Sequence, residues 1–136
     1  MNPILRNILV VILGLVVGSV VNMGIITIGP MIIPPPEGAD LTTMEGLTAA
    51  MSVMTAKHFI APFLAHALGT LVGAMIAAGL GVGRKLTLAI IVAVFFLVGG
   101  IANIMMLPSP MWFNILDLVG AYLPMGWLGW KLTGGK

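Results

Sequence analysis

The sequence predicts an all-α protein, a four-helix transmembrane bundle with both termini in the cytoplasm. Of its 136 residues, 60% are hydrophobic and only 7% are charged, whereas soluble domains carry about 25% charged residues. Four apolar stretches reach the ~20 residues that a membrane span needs. Within a single integral membrane domain, 1–136, these spans 1 to 4 cover about residues 4–28, 58–80, 86–107 and 112–130.

Span 1 is predicted to be a retained helix. Arg6 precedes the apolar stretch, as a basic residue does in a signal peptide. The stretch is longer than the ~7–15 residues of a signal-peptide core, however, and no small-residue cleavage site follows it. Spans 2, 3 and 4 are joined by tight turns, one at Gly79–Lys85 and one at Pro108–Pro110. Such short connections make the three spans antiparallel neighbours.

The only long loop covers about residues 29–57 and is predicted to be extracytoplasmic. The series Pro34, Pro35 and Pro36 imposes an extended conformation that no helix can enter. Thr42-x-x-Glu45 has the pattern of a capping box. It therefore predicts a short helix after Thr42 that lies on the outer membrane surface or extends span 2.

The orientation follows from the basic residues. Cytoplasmic loops are enriched in Lys and Arg, and aromatic residues are enriched at both membrane interfaces. Lys57 stands alone at the predicted outer end with Glu37, Asp40 and Glu45, while tryptophans flank span 4 at both of its ends. The other five basic residues, which define the cytoplasmic end, are Arg6, Arg84, Lys85, Lys131 and Lys136.

Two spans carry stripes of small residues at four-residue spacing. Such stripes let helix backbones approach closely, and packing drives helix association in lipid. The predicted helix-packing residues are Gly14, Gly18, Ala65, Gly69, Gly73 and Ala77. Gly18-x-x-x-Asn22 in span 1 also matches Gly99-x-x-x-Asn103 in span 3. This match suggests that the bundle is a pseudo-repeat of two helical hairpins.

His66 and Asp117 are ionisable and lie inside predicted spans. Ionisable groups are costly in hydrocarbon and commonly mark a functional site. At matching depths, further polar residues can form an outer-leaflet pocket for an ion or ligand with these two. The complete predicted pocket is Asn22, His58, His66, Asn103, Asp117 and, from the loop, Glu45. In the alternative interpretation these groups only lock the bundle together or lie among the headgroups.

Prolines accompany two of these groups. Pro62 in span 2 would free the carbonyl of His58, and Pro124 in span 4 would free the carbonyl of Gly120, close to Asp117. Broken helices beside ionisable groups recur in transporter sites, although prolines are also common in membrane helices without such a role.

No catalytic motif is present, and no cofactor is predicted. The chain has no cysteine, so thiolate chemistry is excluded. If a metal binds, its ligands would be His58, His66 and Asp117, since imidazole and carboxylate suit zinc-class ions. None of these residues has a recognised metal-ligand spacing. The basic residues are too scattered for a nucleic-acid surface, so the lipid bilayer is the predicted environment.

Two segments resemble parts of a known group of proteins. His58-Phe59-Ile60-Ala61-Pro62-Phe63-Leu64-Ala65-His66-Ala67-Leu68-Gly69-Thr70-Leu71-Val72-Gly73, together with the Gly18-x-x-x-Asn22 end of span 1, resembles small four-span bacterial membrane proteins. That family is functionally uncharacterised, so the resemblance implies a bacterial inner membrane location but no activity. Small multidrug exporters would need a membrane Glu in span 1, and MAPEG-type enzymes would carry buried Arg. The spans contain neither feature.

Three classes of function remain open. The first, which the glycine stripes favour over the other two, is an accessory or structural bundle that associates through these stripes, either as a homodimer or with another membrane protein. The second is a small transporter or a protein that binds an ion or ligand in the outer-leaflet pocket. The third, a metal-assisted membrane enzyme, is the class with the least support.

Overall fold

The computed structural model describes residues 1–135 and confirms the all-α class. Three segments are long and apolar enough to cross a membrane: Pro3–Ile32, Ala56–Leu80 and Lys85–Met106. The α-helices, in chain order, are α1 (Pro3–Ile32), α2 (Met44–Met51), α3 (Ile60–Leu80), α4 (Lys85–Met106), α5 (Met111–Gly120) and α6 (Leu123–Leu132). A 3-10 turn, Ala56–Phe59, leads into α3.

Helix α1 extends further in both directions than the predicted span. Asn2 caps its start by accepting a hydrogen bond from the amide of Ile4 at 2.8 Å. The helix continues through Pro30 and stops at Ile32, just before the proline series. Because proline has no N–H, the carbonyl of Ile26 loses the donor that normally lies four residues ahead. The 30 residues of α1 make a rod about 45 Å long.

The predicted glycine stripes pack against each other within the chain. A Cβ added at Gly14 would lie 2.5 Å from the carbonyl oxygen of Gly73, and one added at Gly18 would lie 2.5 Å from that of Gly69. Ala65 and Ala77 on the same helix, α3, have no exposed surface. Small residues therefore bring the backbones of α1 and α3 into direct contact, as expected when van der Waals packing drives association in lipid.

Helix α6 packs against α3 and α4 in the same manner. A Cβ on Gly126 would lie 2.7 Å from the Cβ of Ala93 on α4, and one on Gly129 would lie 2.8 Å from that of Ala74 on α3. Ala74 is fully buried, as are other alanines of both helices. The half of the protein that includes the Gly79–Lys85 turn, which we call the basic half, therefore consists of four helices. Small side chains hold these helices at short distances.

The predicted fourth span is divided into two ten-residue helices, α5 and α6. The break falls at Ala121 and Tyr122, and Pro124 lies in the first turn of α6. Pro62 likewise lies in the first turn of α3, directly after the 3-10 turn. It therefore marks the start of α3 and does not kink the interior of this helix.

Although divided, α5 and α6 together run along the full length of α3. Near the start of this path, the rings of Phe113 and Phe59 lie 4.7 Å apart. At its end, a Cβ on Gly79 would lie 3.5 Å from the side chain of Thr133.

Apart from Asp117, the charged residues among residues 1–135 lie towards the two ends of the molecule. At the end we call the basic end, the Arg6 Nε donates to the carbonyl of Leu80 at 2.8 Å. Asn7 holds the α3–α4 turn there, because its amide group donates to the Val82 carbonyl at 2.9 Å and accepts from the Val82 amide at 2.8 Å. Lys136, which the sequence places at this end, lies outside the described residues.

The long loop contains the short helix that was predicted after Thr42. Helix α2 ends at Met51. Its cap is Thr43, whose hydroxyl accepts from the Gly46 amide at 3.0 Å, so the predicted capping box at Thr42 is wrong by one residue. Thr42 instead bonds to Asp40 through its amide, at 2.9 Å, and through its hydroxyl.

Candidate functional site: a cavity with a buried histidine–aspartate pair

His66 and Asp117 are in direct contact. The Nδ1 of His66, on α3, lies 2.8 Å from Oδ1 and 2.9 Å from Oδ2 of Asp117, on α5. The two side chains are 13% and 4% exposed. The pair therefore joins the third and fifth helices inside the protein, where its polar groups are largely removed from water.

The geometry indicates which nitrogen of His66 carries the hydrogen. Both carboxylate oxygens are almost equidistant from Nδ1, as expected when one N–H is shared by an ionised carboxylate that can only accept. We therefore assign a hydrogen to Nδ1. In the neutral imidazole, Nε2 then has a free lone pair and acts as an acceptor.

Tyr122 completes the group as a second donor to the carboxylate. Its hydroxyl donates to Oδ2 of Asp117 at 3.1 Å, and its ring lies over the His66 ring with centroids 5.9 Å apart and planes at 24°. The helix break places Tyr122 here, five residues after Asp117. Gly100 on α4 makes room for it, because a Cβ there would lie 2.7 Å from the tyrosine Cζ.

A cavity of about 580 Å³ lies next to this group. His66 and Asp117 form its polar floor. The sides are apolar residues of α1, α4 and α5, and Phe59 and Phe113 contribute two aromatic rings. The long loop forms the roof through residues that include Ile33, Pro35, Leu41, Leu47, Met51 and Met54. The cavity is thus an apolar chamber with an ionisable group at its deep end.

Two exposed residues of α1 line the cavity near its floor. Met23 lines the cavity and is 59% exposed. Its neighbour Asn22 packs against Gly69, which lies three residues beyond His66 along α3 towards the basic end. Met23 is therefore level with the floor and far below the roof. Ile26 also lines the cavity and is 37% exposed.

The structure brings four of the six predicted pocket residues to this cavity and leaves two outside it. His58, His66, Asn103 and Asp117 line it. Asn22 lies in the α1–α3 interface, where its Oδ1 is buried without a hydrogen-bond partner among residues 1–135. Glu45 is exposed in the first turn of α2 and is not part of the cavity wall.

The two histidine rings carry their hydrogens on different nitrogens, and this weakens the case for a metal centre. The Nδ1 of His58 accepts from the backbone amide of Thr55 at 2.9 Å. That nitrogen is therefore unprotonated, and Nε2 carries the hydrogen in the neutral ring. His66 offers a single free nitrogen. Within residues 1–135, no group of three or more His, Cys, Asp or Glu side chains could hold a metal ion.

The sequence reasoning missed Tyr122 and Gly100. Tyr122 is the only tyrosine of the chain and falls in a predicted span two residues before a proline. A buried hydroxyl needs a hydrogen-bond partner, and Asp117 lies only five residues away. The contact between Tyr122 and Asp117 could therefore have been predicted from the sequence. Gly100 has no comparable signal, because its role is apparent only from the tyrosine beside it.

Comparison of the chain with protein-family models, with curated proteins and with solved structures gives no match. The cavity and its floor are therefore the observations from which a function can be argued, and the resemblance to small four-span bacterial proteins stays a prediction.

Proposed function

We propose that this protein binds a small amphiphilic molecule in the cavity, as a transporter or ligand-binding protein of the membrane. The observation that carries the proposal is the His66–Asp117 pair at the floor of an apolar cavity. Ionisable groups within a membrane domain are expensive, and they are commonly found where a ligand, ion or proton is handled. Ligand sites are generally apolar cavities with a few convergent polar groups.

The ligand would enter from the bilayer. We infer a side opening at Met23 and Ile26, because both residues line the cavity near the depth of its floor and both are apolar and exposed. The roof, which the long loop forms, covers the opposite end of the cavity. A molecule dissolved in the outer leaflet therefore has a shorter and more apolar route to His66 than a molecule dissolved in water.

Association with a partner through the glycine stripes has less support. Gly14, Gly18, Gly69 and Gly73 are buried against each other, and α1 and α3 of one chain already fill this contact. A homodimer, or a complex with another membrane protein, would need a different surface. The metal-assisted enzyme is disfavoured by the donor set described above.

We further propose that the chain crosses the membrane four times, with both termini in the cytoplasm. Helices α5 and α6 together contain 20 residues, about 30 Å of helix, and they follow α3 along its length. The basic end carries Arg6, Arg84, Lys85 and Lys131, which the positive-inside rule assigns to the cytoplasm. The proposal of a bacterial inner membrane rests on the sequence resemblance alone.

The absence of cysteine makes ligand binding directly testable. Thr27 lines the cavity, so a Thr27→Cys variant in lipid nanodiscs would report occupancy through its labelling rate with a methanethiosulfonate reagent. The probes are dodecylamine, 1-dodecanol and dodecanoate. We expect at least one probe to slow the labelling in a saturable manner.

The matched control is Val20→Cys. Val20 lies two turns earlier on the same face of α1, is 67% exposed and is not part of the cavity. No probe should protect this cysteine beyond the general effect of adding an amphiphile to the bilayer. If no probe protects Thr27→Cys more than Val20→Cys, the proposed function is wrong.

A further inference from the structure

We propose that the ligand is an amphiphilic amine whose ammonium group binds at the cavity floor beside Asp117. This inference rests on the proposed function and names the ligand class for the same site. It follows from the hydrogen-bonding groups, the charge and the apolar walls of the cavity.

The floor presents hydrogen-bond acceptors. The Nδ1–H of His66 is already used by Asp117, so the ring nitrogen that remains is the Nε2 lone pair. A second acceptor lies on the wall: Pro30 deprives the Ile26 carbonyl of its helical donor, and both residues line the cavity. A ligand head that reaches the floor must therefore donate hydrogen bonds, as an ammonium group does.

The charge of the floor has the sign that attracts a cation. Among the described residues, Asp117 is the acidic residue of the cavity wall. Its two partners, the His66 ring and the Tyr122 hydroxyl, donate hydrogen bonds to it, and when the His66 ring is neutral these bonds leave the negative charge of the carboxylate in place. Lys57 also lines the cavity, but it is exposed on the 3-10 turn, where its long stem can carry the ammonium group to water. The two charges thus occupy opposite ends of the cavity.

The apolar walls match the alkyl part of such a ligand. Phe59 and Phe113 line the cavity with ring centroids 4.7 Å apart, and these rings add apolar surface beside the alkyl chain. The roof contributes Met51 and Met54, whose flexible side chains adapt to an alkyl chain. The side opening at Met23 gives that chain access from the bilayer.

The same Thr27→Cys assay distinguishes the ligand classes. At equal concentration in the bilayer and neutral pH, we expect dodecylamine to slow labelling about tenfold, because a charge-assisted hydrogen bond is roughly twice as strong as a neutral one. Dodecanol and dodecanoate should slow it less than about twofold. Methanethiosulfonates do not consume the amine, so the probe itself does not change the reagent concentration.

A second variant connects the selectivity to Asp117. Asp117→Asn removes the charge but keeps an oxygen that accepts from His66 and Tyr122. In the double variant with Thr27→Cys, protection by dodecylamine should fall to the level of dodecanol. Protection is measured against the labelling rate of the same double variant without a probe, so that an effect of the lost charge on the cysteine itself cancels.

The results separate this inference from the proposed function. If dodecanoate or dodecanol protects as well as dodecylamine, the cavity binds amphiphiles but the amine assignment is wrong; stronger protection by dodecanoate would indicate that His66 is an imidazolium and a donor. Retained amine protection in Asp117→Asn would also overturn the assignment. Should Asp117→Asn fail to fold, the order of the three probes on the Thr27→Cys protein alone decides.

Discussion

The two halves of this bundle are built by opposite means. In the basic half, glycines and alanines bring α1, α3, α4 and α6 into backbone contact, and fully buried side chains such as Ala77 and Ala89 fill the space. In the half that contains the long loop, which we call the outer half, the helices leave a cavity of about 580 Å³, and the His66–Asp117 contact joins α3 to α5 at its floor. Close packing in one half thus accompanies an unfilled cavity in the other.

Breaking the close packing should have the largest effect. Gly14→Ala introduces a Cβ that would lie 2.5 Å from the Gly73 carbonyl, so α1 and α3 must separate along their contact. Overpacking of this kind costs about 3 kcal/mol. The free energy of unfolding, measured by denaturant titration in mixed micelles, is expected to fall by that amount or the protein to be lost during purification.

The control on the same helix is Gly24→Ala. A Cβ at Gly24 meets no atom within 4 Å, and Ala is the better helix former, so this variant should be unchanged or more stable by up to about 1 kcal/mol. Equal destabilisation of the two variants would mean that the contact between α1 and α3 does not hold the basic half together.

The contrast between the halves also explains what the sequence could predict. The apolar stretches and the glycine spacing are local patterns. They located α1, α3 and α4, and they located residues of the interface between α1 and α3. The proposed two-hairpin repeat matched Gly18 with Gly99, but Gly18 is buried against Gly69 whereas Gly99 meets no atom within 4 Å. An equal spacing therefore does not reveal whether a residue faces a helix or lipid.

The site was harder to predict because it depends on contacts between distant segments. Depth in the membrane placed His66 and Asp117 in the same region, and the structure brings them together. Depth alone also led to the prediction of Asn22 as a pocket residue, but Asn22 lies in the α1–α3 interface. The division of the fourth span is what places Tyr122 beside Asp117, and hydropathy cannot show a break inside an apolar stretch.

The polar contact of the outer half should give a smaller effect than the glycine contact. Asp117→Ala leaves the Nδ1–H of His66 and the hydroxyl of Tyr122 without an acceptor, at a cost of about 2 kcal/mol. Asp117→Asn retains an acceptor and should cost about 1 kcal/mol or less. Thermal denaturation of both variants beside wild type, in one detergent at neutral pH, measures the difference.

Either outcome for Asp117→Asn sharpens the comparison. Stability equal to or above that of wild type means that the charge is kept at the expense of folding, as expected for a binding site. A loss as large as that of Asp117→Ala would mean that the ionised group itself locks α3 to α5, and the structural interpretation of the pair would then gain.

The smallest expected effect is in the loop that roofs the cavity. The Thr42 hydroxyl and the Thr42 amide both donate to Asp40, and these bonds hold the pKa of the Asp40 carboxyl below its ordinary value. Because the pKa is lowered in the folded loop, the stabilisation is present above the unfolded pKa and is lost as the pH falls through the folded pKa. Amide exchange at Thr42 should therefore be better protected in wild type than in Asp40→Asn at about pH 5, and the two should converge as the pH falls below the folded pKa of Asp40. The melting temperature should not change, because Asp40 is fully exposed and its bonds order only the roof.

A difference in Thr42 amide protection that does not depend on pH would contradict this prediction. It would show that the oxygen geometry of Asp40, rather than its charge, orders the roof above the cavity.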